Sequence, residues 1–375
     1  MKTYKFKLYQ HKRNKHLHRT INAASNLYNH CIALHKRYYR LNGAHLNKNK
    51  LMKHVARLRN RNEYWQLVGS QAVQDIVQRI DRAYQLFFKH HKKGVRPPNF
   101  KKRIKYKSFT LKQAGYKFID CNKVKIGKRI YKFWKSRQIQ GKIKTVTIKR
   151  NPLGEVFIFV VTDYIEQTES VMTGKKAGFD FGLKTFLTIS DSKEIKSPLF
   201  LNQSLKQLKL ASHQHSTKKK RSNNREKARN HLVRVHEKVV NRRNDWFWKL
   251  AQELTDRYDY LFFETLNLKG MQRLWGRKIN DLAFAEFLKI LEFVAIKKGK
   301  TVRYIDQWYP SSKTCSSCGH VLDKLPLDVR YWVCPNNSCH AKHGRDENAS
   351  KVILKVGAST LGLGDVRHLQ DAIAV

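Results

Sequence analysis

Acidic residues are scarce in this chain: 28 Asp and Glu stand against 77 Lys and Arg in 375 residues, a formal charge of +49 at pH 7. Solubility requires nothing of that size, and a compact fold so charged repels itself unless a polyanion binds it, which makes nucleic acid the first candidate partner. Long apolar runs are also missing. No stretch approaches the roughly eighteen continuous apolar residues of a membrane span. The opening Met1-Lys2-Thr3-Tyr4 alternates like a strand where a signal peptide would carry an apolar core. A soluble cytoplasmic protein with no membrane partner is expected. What is present argues against a disordered basic tail, because 41% of residues are apolar and the aromatics include 7 Trp, 16 Tyr and 19 Phe.

Residues 1–10 place Tyr4, Phe6 and Leu8 on one face and Lys5 and Lys7 on the other, the period of a strand. From about Asn14 to Lys93 the period turns helical, most clearly at Ile76, Ile80, Ala83, Tyr84 and Phe87, until Gly94 and Pro97-Pro98 end the block. Short strands follow between Phe100 and Tyr164, with Val146-Thr147-Ile148 and Val156 to Val161 reading as a pair across Asn151-Pro152-Leu153-Gly154. The simplest architecture is a small β-barrel with a helical insertion after its first strand. The polar stretch Asp163 to Gly174 marks a boundary.

Beyond it, Ala177 to Gly182 and Thr185 to Ser190 read as two strands, and Tyr258 to Glu264 as another. Two of these apolar strands deliver a carboxylate at or near their ends, Asp180 and Glu264, and Asp346 opens a helix. Taken singly, a turn Asp or a helix-capping Asp explains each of the aspartates. Together they form the set that metal-ion cleavage of a phosphodiester needs: carboxylates from separate elements holding divalent cations about 4 Å apart. Residues 201–245 hold thirteen Lys or Arg and three acids, around Lys218, Lys219, Lys220 and Arg221. Helical spacing on either side of that run predicts a basic hairpin with few acids to pair its bases, suited to a nucleic-acid backbone.

Of six cysteines, Cys31 and Cys121 stand alone and are expected to be small buried side chains. The others read Cys315-Ser-Ser-Cys318, then fifteen residues, then Cys334-Pro-Asn-Asn-Ser-Cys339. Two close pairs at that separation suit a closed tetrahedral structural zinc. The second pair is wider than usual, and His320, His340 or His343 could replace a cysteine.

Four segments, Gly178-Phe-Asp-Phe-Gly-Leu183, Phe262-Phe-Glu-Thr-Leu-Asn267, Tyr309-Pro-Ser-Ser-Lys-Thr-Cys-Ser-Ser-Cys318 and Arg345-Asp-Glu-Asn-Ala349, occur in the order found in the TnpB family. Over nearly its whole length the chain resembles that family, the RNA-guided nucleases of insertion sequences, related to type V CRISPR effectors. The resemblance implies a multidomain α+β and α/β fold. Residues 1–10 and 95–165 would form the wedge barrel and 11–94 the helical recognition insertion. Residues 172–375 would form an RNase H-like RuvC nuclease domain, with the basic hairpin at 201–250 and an inserted zinc ribbon at 310–343. It implies Asp180, Glu264 and Asp346 as ligands of magnesium or manganese and Cys315, Cys318, Cys334 and Cys339 as ligands of zinc. It further implies a monomer bound to guide RNA that cuts double-stranded target DNA beside a short motif, associated with the nucleoid when on target. Gly344 departs from the pattern, since the family often carries Asp two positions before the last catalytic one. A nuclease-deficient RNA-guided repressor, a transposase and a CRISPR effector are the competing functions. Intact carboxylates argue against the first, a strand-transfer assay separates the second, and the short length disfavours the third.

Overall fold

A computed structural model describes residues 1–12, 14–165 and 171–360. The expected last segment of the nuclease region, 361–375, lies outside the described residues, as do 166–170 of the expected boundary. The chain divides into two compact units, Met1–Glu166 and Gln167–Val375. No described helix is long and apolar enough to cross a membrane.

The first unit opens with strand β1 (Lys2–Lys7), followed by helices α1 (Asn14–Asn42), α2 (Lys48–Arg61), α3 (Glu63–Gln66) and α4 (Ser70–His90). Asn47 and Asn62 cap α2 and α3 by accepting backbone N–H bonds, as short polar side chains do at helix starts. Ile76 and Ile80 are fully buried on α4 and Tyr84 nearly so, the stripe expected from its period. Strands β2 (Ser108–Leu111), β3 (Tyr116–Asp120), β4 (Lys123–Ile126), β5 (Arg129–Lys132), β6 (Ile143–Arg150) and β7 (Val156–Thr162) complete the unit. The β6 and β7 hairpin pairs Ile148 with Ile158 and Val146 with Val160, all buried. Its turn is held by Asn151, whose carboxamide oxygen accepts from the N–H groups of Leu153 and Glu155.

The strands do not form the expected barrel. They make an open four-stranded sheet in the order β1-β7-β6-β2 and a separate three-stranded sheet β3-β4-β5, joined by an isolated antiparallel bridge between Leu8 and Phe133. Closure would require β2 to pair with a further strand. Instead β2 lies beside the helices, and the core that a barrel would enclose is shared between the sheets and the buried faces of α1 and α4. Cys31 is buried as expected, whereas Cys121, in the turn between β3 and β4, is exposed.

The second unit begins with β8 (Lys176–Asp180), β9 (Leu187–Ile189) and β10 (Glu194–Ile195), then α5 (Phe200–Thr217) and α6 (Asn223–Arg257). β11 (Tyr260–Glu264), α7 (Leu268–Leu282), α8 (Phe284–Lys297), β12 (Thr301–Ile305), β13 (Tyr331–Val333), β14 (Lys342–Gly344) and α9 (Arg345–Ser359) follow. The main sheet runs β10-β9-β8-β11-β12, with β8, β11 and β12 parallel and the β8–β9 and β9–β10 pairings antiparallel. Helix α9 packs against β8 and β11 so closely that a Cβ on Gly178 would collide with the Ser350 carbonyl oxygen, and one on Gly357 with the Phe262 ring of β11. At the start of β11, Asp259 and Lys300, both almost fully buried, pair at 2.5 Å. Lys300 also donates to the Val171 carbonyl and Gly174 N–H donates to Asp259, so this pair ties residues 171–174 to the sheet.

Candidate metal centres

Parallel pairing decides where two of the three carboxylates meet. The register sets Phe179 beside Phe263, so the next residues, Asp180 and Glu264, leave the carboxyl ends of adjacent strands side by side. In open α/β sheets that end is where ligands bind. Phe179, Phe181 and Phe263 are buried and stack on one another's flanks beneath the acids, which fixes both strand ends. Asp346 arrives in the first turn of α9, two residues after the N-cap Gly344, and its carboxylate oxygens accept from the Arg330 guanidinium.

Asp180 feels the charges of both other acids. The Asp180 carboxyl is pushed well above the usual carboxylate range, first by burial and then by the negative charges of Glu264 and Asp346, against smaller opposing effects from Arg345 and the Phe181 N–H. Burial also raises Glu264, while the Ser311 hydroxyl donates to it at 3.0 Å and opposes the rise. Mutually repelling, partly buried carboxylates are a donor set that a hard divalent ion suits. The set is open: among the described residues only four cysteines, and not these acids, bring ligand atoms all within 4.8 Å of one another. Asp346 is engaged by the Arg330 guanidinium at 3.3 Å.

Those four cysteines are Cys315, Cys318, Cys334 and Cys339. Cys315 Sγ lies 3.8 Å from Cys339 Sγ, and Cys318 Sγ 3.6 Å from Cys334 Sγ. A tetrahedron with Zn–S bonds of about 2.3 Å has edges of about 3.8 Å, so the residues fit zinc. Each pair sits on a backbone knuckle: Cys315 N–H donates to the His320 carbonyl, and Cys334 N–H to that of Ala341. The wider second loop is closed by Asn336, whose carbonyl accepts from Cys339 and His340 and whose side chain accepts from Ser338. No histidine displaces a cysteine. His320 and His340 are exposed, and His343 is buried with Nε2 3.0 Å from Cys315 Sγ, where it would support a thiolate from outside the ligand set. The Cys318 thiol is lowered to about 7, first by the His320 N–H bonded to it, which favours the metal-ligating form.

The cysteine site and the carboxylates share a strut. Asn348, buried on α9 two residues after Asp346, donates to the Thr314 carbonyl at 2.7 Å and accepts from Ser316 N–H at 2.8 Å. The β13 and β14 pairing, with Tyr331 opposite Gly344, runs directly into Arg345. Ser311, Arg330 and Asn348 were not identifiable as supporting residues from composition or period. Ser311 and Asn348 do fall inside the segments around Cys315 and Asp346 that carry the family resemblance, the one signal that pointed to them. Gly344 has ordinary φ, and a Cβ there would meet the Tyr331 ring only at 3.7 Å, so nothing in the backbone demands glycine.

Lys218, Lys219, Lys220 and Arg221 occupy the exposed turn between α5 and α6. Ser222 caps α6 through the Arg225 N–H, and the Arg225 guanidinium bonds the Lys218 carbonyl at 2.8 Å, fixing the turn that carries the basic run.

Residues 159–274 match a family described as "Probable transposase" and residues 284–353 one described as "Cas12f1-like, TNB domain". A "Putative RNA-guided DNA endonuclease" of Streptomyces pristinaespiralis is 30% identical over 301 residues, covering 80% of this chain and 74% of the relative. A protein of Escherichia coli (strain K12) named "Putative RNA-guided DNA endonuclease InsQ" is 26% identical, covering 79% and 77%. Among solved structures, a Cas12f1-sgRNA-target DNA complex contains a chain that aligns with TM-score 0.58 and 15% identity over 92% of this chain and 83% of its own, a likeness of fold.

Proposed function

The chain belongs to the TnpB family, and from that premise we propose that it is an RNA-guided DNA endonuclease of an insertion sequence whose RuvC site is built from Asp180, Glu264 and Asp346. The observation that carries the reading is the side-by-side exit of Asp180 and Glu264 from the carboxyl ends of adjacent parallel strands, with Asp346 in the first turn of the helix packed on β8. The three carboxylates would hold magnesium or manganese, which when bound activates water and stabilises the leaving oxygen of a phosphodiester. Ser311 orients Glu264 by its hydroxyl, and the Arg330 guanidinium, 3.3 Å from Asp346, occupies that carboxylate until a divalent ion takes its place. Cys315, Cys318, Cys334 and Cys339 would hold a structural zinc that fixes the knuckles on which Asn348 leans.

In this reading residues 1–10 and 95–165 act as the wedge and 11–94 as the recognition helices. Residues 172–375 act as the nuclease domain, with the basic hairpin at 201–250 and the ribbon at 310–343. Base pairing by RNA selects the target, and protein contacts supply backbone grip and recognition of the flanking motif. Lys218, Lys219, Lys220 and Arg221 would grip phosphates, and +49 of formal charge makes affinity fall steeply with salt. The active species is one chain with RNA. Replacing Asp180, Glu264 or Asp346 singly by Ala is expected to abolish cleavage in magnesium while target binding persists. Near wild-type cutting by any one of the three variants would remove that residue from the site.

A further inference from the structure

On the first unit, the chain crosses itself at the bridge between Leu8 and Phe133. Tyr9 N–H donates to the Lys132 carbonyl at 3.0 Å and Trp134 N–H to the Lys7 carbonyl at 2.8 Å. Leu8 and Phe133 are each 1% exposed. The pleat therefore turns Lys7, Tyr9, Lys132 and Trp134 to the opposite face. There Tyr9 and Trp134 stack as a diagonal cross-strand pair, ring centroids 4.2 Å and planes 14° apart, yet Trp134 stays 58% exposed. A single exposed tryptophan needs no explanation. An indole pinned by backbone bonds, covered on one side by a tyrosine and open on the other, is already ordered to receive another flat ring. The surround is cationic: Lys132 is exposed with no ion pair among the described residues, and Lys7, which pairs with Glu155 at 2.5 Å, stands across from Trp134.

We propose that Trp134, backed by Tyr9, is a stacking site for an unpaired nucleobase of the bound RNA, with Lys132 placed for the adjoining phosphate. The site rests on the RNA-guided reading above and adds to it a specific contact. Stacking on an exposed ring needs a base with a free face. Paired duplex bases have neither face free, whereas a folded RNA displays such bases in its loops and bulges. Lys132 supplies complementary charge, and aromatic side chains interleaved with lysine on a sheet face form a recurrent surface for single-stranded RNA.

The test compares wild type, Trp134→Leu and Trp134→Phe, purified free of nucleic acid, binding RNA transcribed from the gene's own flank. Trp134→Leu keeps an apolar cover and loses the π face, and should weaken RNA binding about tenfold, with Trp134→Phe restoring most of it. Binding of RNA should also quench tryptophan emission in wild type, and that quench should shrink in Trp134→Phe although its affinity persists. This second readout decides the matter even if Trp134→Leu melts early. Equal RNA affinity in a folded Trp134→Leu, an undiminished quench in Trp134→Phe, or a defect confined to single-stranded DNA of the same sequence would overturn the assignment to RNA stacking. Failure of the wild type itself to bind RNA would instead overturn the RNA-guided reading.

Discussion

The Arg330 guanidinium lies 3.3 Å from the Asp346 carboxylate, while the Arg330 carbonyl accepts the Arg345 N–H at 2.8 Å. Side chain and backbone of one residue beside the cysteine site thus both hold the turn that carries the third carboxylate. Both partners are partly exposed, so the ion pair itself is worth on the order of 0.2–1 kcal/mol. It competes with a divalent ion for the same oxygens. Arg330→Ala is therefore expected to lower the magnesium concentration giving half-maximal cleavage by about 1.4- to 5-fold, read from a metal titration at saturating RNA and DNA. An unchanged or higher requirement would mean that Arg330 does not compete with metal.

The Asp180 carboxyl, raised first by burial and then by Glu264 and Asp346, opposes folding in the metal-free protein. The sign follows from linkage: a folded-state pKa above the unfolded one means that ionisation costs more in the fold. The loss begins as pH rises past the unfolded carboxylate range and is complete above the folded pKa. Asp180→Asn removes the charge and keeps the shape, so at pH 7 without metal it should melt higher than wild type. Magnesium should then raise the wild-type melting temperature and leave Asp180→Asn nearly unmoved. A lower melting temperature for the variant would show that Asp180 is a stabilising group.

Zinc removal should propagate to the carboxylate site through Asn348, which bonds Thr314 and Ser316 on either side of Cys315. A structural zinc in a small ribbon supplies much of its folding free energy. Metal analysis is expected to find one zinc per chain, and Cys315→Ser to lose both the zinc and cleavage. Full activity in zinc-free protein would disconnect the two sites.

Gly178 is packed against α9 too tightly for any side chain, with the Ser350 carbonyl where a Cβ would go. Overpacking of this kind costs about 1–3 kcal/mol. Gly178→Ala should destabilise the second unit by that amount in denaturant unfolding, and should reduce cleavage because Asp180 is two residues on. A neutral Gly178→Ala would mean that α9 shifts freely on β8.

Much of this was legible in the chain because it depends on local period or spacing. Alternation at Tyr4, Phe6 and Leu8 marks β1, the 3.6-residue stripe through Ile76 and Ile80 marks α4, and the paired cysteines mark their own cluster. The apolar strands ending at Asp180 and Glu264 are equally plain, and their parallel pairing is what brings the acids together. Sheet closure was not legible. Strand count and order along the chain are compatible with a barrel, and only the long-range choice of partner for β2 leaves the sheet open. Cys121 looked like Cys31 until its turn was placed at the surface. The bond of Arg330 to Asp346 spans sixteen residues and an intervening strand pair, a relation with no periodic trace.

The central claim is that RNA chooses where this protein cuts. The most direct measurement is cleavage of a plasmid library by chain purified free of nucleic acid, without RNA, with RNA from the gene's own flank, and with the guide segment of that RNA rewritten. The account predicts no defined cut in the first case, a single target class beside a short motif in the second, and relocation of the cut to the rewritten match in the third. Site-specific cutting without RNA, or a cut that stays in place when the guide is rewritten, would contradict it.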